Sequence, residues 1–165
     1  MIRLAEMKDL ESIMKIIKDI VIEMKNENTV QWDESYPREE DFIRDIENGS
    51  LYVNQERGNI RAFICLDRNQ PVDYTKLQWK GEGQDFLVIH RMAVNKDYRN
   101  QGLGLIMFNF AKDLAMEQNI GFLRTDTYSL NYRMRGLFRK LGFVFVGEAD
   151  FGKEEKFYCY EWEIA

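Results

Sequence analysis

Apolar side chains recur at intervals of three and four from Leu10 through Ile13, Met14, Ile17, Ile20 and Val21 to Met24. This spacing predicts an amphipathic helix with one face on a core. Ile2 to Ala5 reads as a short strand ahead of it. A polar stretch from Asn26 to Tyr36 follows, with Trp32 and Tyr36 embedded in it. Pro37 stands where a first helical residue belongs, and Phe42, Ile43 and Ile46 share one face before Gly49 stops the second helix. Leu51-Tyr52-Val53 and Ile60 to Leu66 are apolar strands, and the turn Arg57-Gly58-Asn59 between them predicts a β-hairpin.

Asp67 to Asp85 is a long polar connection, of a length that is often functional or mobile. Residues 86–95 form the next strand. A helix follows from Gly102 to Gln118, with Leu103, Met107, Phe110 and Leu114 as its apolar face. Phe122 to Thr127 is another strand. Asn131 stands at an N-cap, Met134, Leu137, Phe138 and Leu141 form the buried stripe, and Gly142 is a left-handed stop. Phe143 to Val146 and Phe157 to Trp162 close the chain as strands. The order βααβββαβαββ predicts one α/β domain over residues 1–165, a mixed sheet with helices on both sides.

The bulk numbers narrow the partners. Among 165 residues the formal net charge is −5, against the basic balance of a nucleic-acid binder. One histidine and two distant cysteines, Cys65 and Cys159, offer no Cys/His metal site. No apolar run approaches the roughly 18 residues of a membrane span, and Met1 to Glu6 lacks a signal-peptide stretch, so a cytoplasmic location is expected.

The chemistry is concentrated between residues 86 and 110. A strand runs into Arg99-Asn100-Gln101-Gly102-Leu103-Gly104 and then into a helix. Backbone N–H groups gathered at the positive end of a helix suit a phosphate. A Walker loop requires Gly-Lys-Ser/Thr, but Leu105 and Ile106 follow Gly104; a dinucleotide fingerprint requires a third glycine, where Met107 stands. What remains is Met92-Ala93-Val94, Arg99-x-x-Gly102-x-Gly104, a strand ending near Asp126, then Asn131 and Lys140-Leu141-Gly142-Phe143. This succession resembles the GNAT superfamily of N-acetyltransferases over nearly the whole chain.

The resemblance implies a strongly twisted mixed sheet whose two central parallel strands, 86–95 and 122–127, splay around acetyl-CoA. Met92, Ala93 and Val94 would pair with the pantetheine arm through main chain. Arg99, Asn100, Gln101, Gly102, Leu103 and Gly104 would hold the pyrophosphate, with Arg99 adding charge. Asn131 would meet the pantetheine or simply cap its helix. Lys140 would reach nucleotide phosphates or simply complement the helix dipole. The implied reaction is direct attack of a primary amine, on a small molecule or peptide, on the thioester, without a metal. The Met92 N–H would bind the oxyanion.

His90, two residues before Met92 on the same strand face, is the candidate base; the alternative is a structural histidine satisfied by a neighbour. Phe138 departs from the family pattern, because many members carry there a tyrosine that protonates the departing thiolate. Tyr128, Tyr132 or Tyr158 could replace it, the thiolate could leave unprotonated, or the chain could be a non-catalytic acyl-CoA-binding module. Trp32, Tyr36 and Tyr158 are candidates for contacting the acceptor, with Trp32 equally able to pack a helix corner. Family members often pair through their C-terminal strands, so the resemblance allows a homodimer and leaves the oligomeric state open.

Overall fold

The computed structural model describes residues 1–164. Seven strands lie in the order β1-β2-β3-β4-β5-β7-β6. They are β1 (Ile2–Leu4), β2 (Leu51–Glu56), β3 (Asn59–Asp67), β4 (Phe86–Val94), β5 (Phe122–Tyr128), β6 (Val144–Ala149) and β7 (Phe157–Glu163). The helices are α1 (Leu10–Asn26), α2 (Glu39–Glu47), α3 (Leu103–Glu117) and α4 (Tyr132–Leu141), so the element order matches the expected one. Backbone contacts divide the chain into two compact units. The first comprises Met1–Leu66 and Arg91–Phe108; the second comprises Asp67–His90 and the chain from Asn109 onward.

In the first unit β1, β2 and β3 form an antiparallel meander. Its hairpin turns at Arg57 and Gly58, both with positive φ (52° and 81°), as a tight two-residue turn demands. The α1 stripe Leu10, Ile13, Ile17, Ile20 and Val21 is buried together with Phe42 of α2 and Val53 and Phe63 of the hairpin. Phe42 and Phe63 meet edge to face at 5.3 Å. Each such side chain contributes about 1.5–3 kcal/mol by leaving water. Pro37 does not open α2. It follows a cis peptide bond after Tyr36, and Arg38 is the N-cap. The carboxylate of Asp41 accepts the Arg38 N–H at 2.8 Å, which satisfies a donor that the proline ring could not provide.

In the second unit β4 runs parallel to β5, while β5, β7 and β6 are antiparallel neighbours. The β4–β5 register pairs Phe86 with Phe122, Leu87 with Leu123 and Val88 with Arg124. One residue further on, the Ile89 carbonyl accepts the Thr125 side-chain hydroxyl at 3.1 Å. Strand alternation gives the unit two faces. Cys159 clusters with Val88, Tyr74 and Trp79 on one. On the other, Tyr160 stacks on Phe138 of α4 at 5.0 Å, and Phe143 packs on both Phe138 and Trp162 at 4.9 Å.

Two expectations need correction. The buried positions of α3 are Leu103, Met107, Phe108, Ala111 and Ala115, whereas Phe110 and Leu114 are only half-buried. Small alanines allow close packing, and the larger neighbours are displaced to the edge of the stripe. The 67–85 connection is not a loose loop. It contains a 3₁₀ turn over Val72–Lys76, and the Trp79 indole N–H donates to the Tyr74 carbonyl at 2.8 Å. The Glu161 carboxylate accepts the N–H groups of Lys80 (2.9 Å) and Gly81 (3.0 Å). A Cβ at Gly81 would lie 2.6 Å from the Phe122 ring, so only glycine fits that approach.

The entry into α1 is held by charge. Arg3 donates two hydrogen bonds to Asp9, at 2.8 and 2.9 Å, and Asp9 also accepts the Glu6 N–H at 2.8 Å. These bonds, Arg3's first, hold the Asp9 carboxyl below its ordinary range. A depressed carboxylate stabilises the fold above its unfolded pKa of about 4, and the contribution fades as pH falls through the lower folded value. Urea unfolding should therefore show Asp9→Asn less stable than wild type by about 1–3 kcal/mol at pH 7. The gap should close on acidification below pH ~4; a gap independent of pH would refute the assignment.

Candidate active site

The turn before α3 is built by backbone conformation. The Asn95 side chain accepts the Asp97 N–H at 3.0 Å and fixes the 3₁₀ turn Lys96–Tyr98. Asn100 and Gly102 then take left-handed conformations, with φ of 62° and 73°. The Ile106 N–H donates to the Gly102 carbonyl at 3.0 Å. The N–H groups of Leu103, Gly104 and Leu105 therefore precede the helical ladder, at the positive end of the dipole. No atom lies within 4 Å of where a Gly102 Cβ would be, so the backbone faces open space there.

The Arg99 guanidinium is a bidentate partner of Glu23 on α1, at 2.5 and 2.8 Å, and these bonds hold its pKa above the usual arginine value. The ion pair thus holds the turn against α1. A second ion pair fixes the far half of β4. Arg91 donates to both Asp45 oxygens, at 2.8 and 2.7 Å, and to the Tyr36 hydroxyl at 2.7 Å. Burial opposes the Arg91 charge, but the Asp45 hydrogen bonds prevail and raise its pKa. Tyr36 is 40% exposed, whereas Trp32 lies buried in the core of α1 and α2. Trp32 is therefore a packing residue with no face for an acceptor.

In the second unit His90 Nε2 lies 2.6 Å from Asp67 Oδ1, and the imidazole is 18% exposed. A carboxylate can only accept from the ring, so Asp67 assigns the proton to Nε2 and leaves Nδ1 as the basic nitrogen. The Asn69 N–H donates to the same Asp67 oxygen at 2.8 Å and steadies it. Asp126 is the next carboxylate. It accepts the Tyr74 hydroxyl at 2.5 Å, and burial pushes its carboxyl above the ordinary range, against the pull of Tyr74 and His90. Tyr74 is fully buried, and its own ionisation is pushed up first by burial and then by Asp126. Nearby, Arg124 is sandwiched at 4.4 Å from the Trp79 ring and 3.9 Å from the Phe86 ring, and donates to Gln70 at 2.7 Å. Asp67, Asp126 and Tyr74 were not singled out by sequence, because each meets its partner only through the fold.

Asn131 caps α4, its side-chain oxygen accepting the Met134 N–H at 3.1 Å. Lys140 is exposed in the last turn of that helix, one residue before Leu141, which precedes the left-handed Gly142. Phe138 is a core ring, 1% exposed, whereas Met134, Leu137 and Leu141, expected in the same buried stripe, are half-buried. Of the three tyrosines named as replacements for a hydroxyl there, Tyr128 is buried and accepts the Glu155 N–H at 3.2 Å. Tyr132 is 68% exposed, and the Tyr158 ring lies 4.6 Å from the Arg135 guanidinium. Among the described residues no cluster of His, Cys, Asp and Glu could hold a metal ion, and no helix is long and apolar enough to cross a membrane.

The strand β4, the left-handed glycine turn and the start of α3 thus follow one another on a mixed sheet that includes the parallel pair β4–β5. A family model described as the acetyltransferase (GNAT) family matches residues 17–143, and the chain belongs to that family. It is 32% identical to a candidate acetyltransferase of Staphylococcus aureus Mu50, with a TM-score of 0.80 over 100% of this chain and 99% of that one. The uncharacterized N-acetyltransferase YesJ of Bacillus subtilis (strain 168) is 22% identical over 143 residues, 85% of this chain and 79% of its own length. A candidate acetyltransferase of Salmonella typhimurium, solved with its cofactor acetyl-CoA, shares the fold at 16% identity and a TM-score of 0.72, covering 100% of this chain and 94% of that one. The chain is thus a GNAT N-acetyltransferase, an enzyme of a family that uses acetyl-CoA.

The Asn131 geometry has a direct check. Asn131→Ala should lower stability by about 1 kcal/mol in urea unfolding, and Asn131→Asp should restore it, because aspartate caps equally well. Equal stability of all three proteins would mean that the cap is unimportant.

Proposed function

We propose that the protein acetylates a primary amine by direct transfer from acetyl-CoA, with His90 as general base and Asp67 as its positioning residue. The observation that carries this reading is the 2.6 Å contact between His90 Nε2 and Asp67 in a half-buried setting. Bound acetyl-CoA supplies an activated acetyl thioester. The residues that suit its pyrophosphate are the backbone N–H groups around Gly102, Leu103 and Gly104, joined by those of Asn100 and Gln101. The main chain of Met92, Ala93 and Val94 is available to the pantetheine arm, and the Met92 N–H to the carbonyl oxygen.

A free amine of pKa ~10 is neutral only about once in a thousand molecules at pH 7, roughly 4 kcal/mol from its reactive form. A base is therefore needed as the nitrogen forms its new bond. The Nδ1 lone pair of His90 accepts the amine proton, and the Asp67 carboxylate balances the imidazolium that results. No tyrosine hydroxyl is required in place of Phe138. A thiol pKa near ~8.5 makes the CoA thiolate a fair leaving group. Tyr36, exposed and fixed by Arg91, is available to an acceptor, as is the half-buried Tyr158.

His90→Ala should lower kcat about 10²–10⁴-fold while the Kd for acetyl-CoA, measured by calorimetry, stays close to wild type. Undiminished turnover would remove His90 as the base. Gly102→Val should act on the other step. A β-branched residue at φ 73° strains the turn, so acetyl-CoA affinity should fall first. Unchanged affinity would remove the pyrophosphate from this turn.

A further inference from the structure

A cavity of about 360 Å³ in the second unit is lined by Arg135 and Arg139 of α4, Phe145 and Glu148 of β6, and Tyr158 and Tyr160 of β7. It is separate from the histidine. The strand register places Phe145 opposite Tyr160 and Glu148 opposite Tyr158, all on the face away from Cys159. Val88 belongs to the Cys159 face, and His90, two residues further along β4, shares that face with it. The reading of His90 and acetyl-CoA given above assigns no work to this second face.

Its chemistry is specific. Arg135 is held rigidly: it donates to the Ser129 carbonyl at 3.0 Å and the Tyr160 hydroxyl at 3.3 Å, with its guanidinium 4.6 Å from the Tyr158 ring. Arg139, one helical turn on, is exposed, and its side chain enters no hydrogen bond or ion pair among the described residues. Glu148 is also exposed, and neither arginine pairs with it among the described residues. Opposite charges thus line one cavity without closing on each other. Phe145, 50% exposed, stands edge-on to Tyr158 at 5.1 Å and to Tyr160 at 5.9 Å, which makes the floor aromatic.

We propose that this cavity binds a free aromatic α-amino acid. Arginine offers a planar fork that matches a carboxylate, and Glu148 offers an acceptor for an ammonium group. Aromatic rings favour an apolar ring between them, and a volume of this size lies in the range of ligand pockets. A simple anion fits less well, because it would face the unpaired Glu148 carboxylate. A simple cation would face two guanidinium groups.

The test is calorimetric titration of the full chain, without acetyl-CoA, with three probes: L-phenylalanine, 2-phenylethylamine and 3-phenylpropionate. L-Phenylalanine should bind saturably, and each of the other two, lacking one charge, should bind about 10–100-fold more weakly. Arg139→Gln and Glu148→Gln, both at exposed positions, should weaken L-phenylalanine by a similar factor. Absence of saturable L-phenylalanine binding overturns the proposal, as does binding that neither substitution weakens. Equal binding of 3-phenylpropionate would reduce the cavity to an anion site and overturn the zwitterion assignment. Because no turnover is read, this result is independent of whether His90 is the base.

Discussion

The parallel ladder between β4 and β5 is the constraint on which the second unit depends. It joins Phe86–Val88 to Phe122–Arg124, and one residue later the Ile89 carbonyl is taken by a side chain, Thr125. A strand's main-chain groups must find partners. In the function proposed above, the pantetheine arm would supply partners for the main chain of Met92–Val94. His90 follows Ile89 directly, so the proposed base adjoins that main chain in sequence.

Charge is used in the first unit to hold backbone in place. Arg99 is committed to Glu23 and Arg91 to Asp45, each through two hydrogen bonds. In a chain of net charge −5, the proposed phosphate site would then rest on backbone N–H groups. Oriented N–H groups at a helix start suffice for a phosphate, and they require no side chain to be desolvated when the ligand arrives. In the second unit the two carboxylates near His90 have different partners. Asp67 is fixed by a backbone N–H and the imidazole; Asp126 is half-buried and accepts the Tyr74 hydroxyl, with its carboxyl pushed up. That division leaves Asp67 as the partner of the imidazole.

The order of elements was legible in the chain because it depends on local signals: the α1 periodicity, the Arg57-Gly58 turn, the Asn131 cap and the Gly142 stop all lie where the sequence predicts them. The boundaries shift where a tertiary contact intervenes. Asp41 reaching back to Arg38 moves the start of α2 past Pro37, and the tight approach of α3 buries Ala111 and Ala115 rather than Phe110 and Leu114. The site was legible only in part. Gly102 and His90 carry recognisable local patterns. Asp67 is 23 residues from His90 in sequence, Asp126 is 52 from Tyr74, and Glu23 is 76 from Arg99. No periodicity reports contacts at such separations, so the partners of His90 and Arg99 emerge only from the folded chain. Trp32 illustrates the reverse case: a single aromatic in a polar stretch looks like a ligand contact, and the fold turns it into core.

The central claim is that the chain transfers acetyl groups to an amine. The most direct test is acetyl-CoA-dependent thiol release by the purified protein. The acceptor panel would contain polyamines, aminoglycosides, amino acids, arylalkylamines and short peptides, and each thiol signal would be matched to an N-acetylated product by mass spectrometry. The account predicts thiol release above the no-acceptor rate with at least one amine class, and one acetyl group added per thiol released. Tight acetyl-CoA binding with no product from any class would contradict it and identify the chain as a binding module.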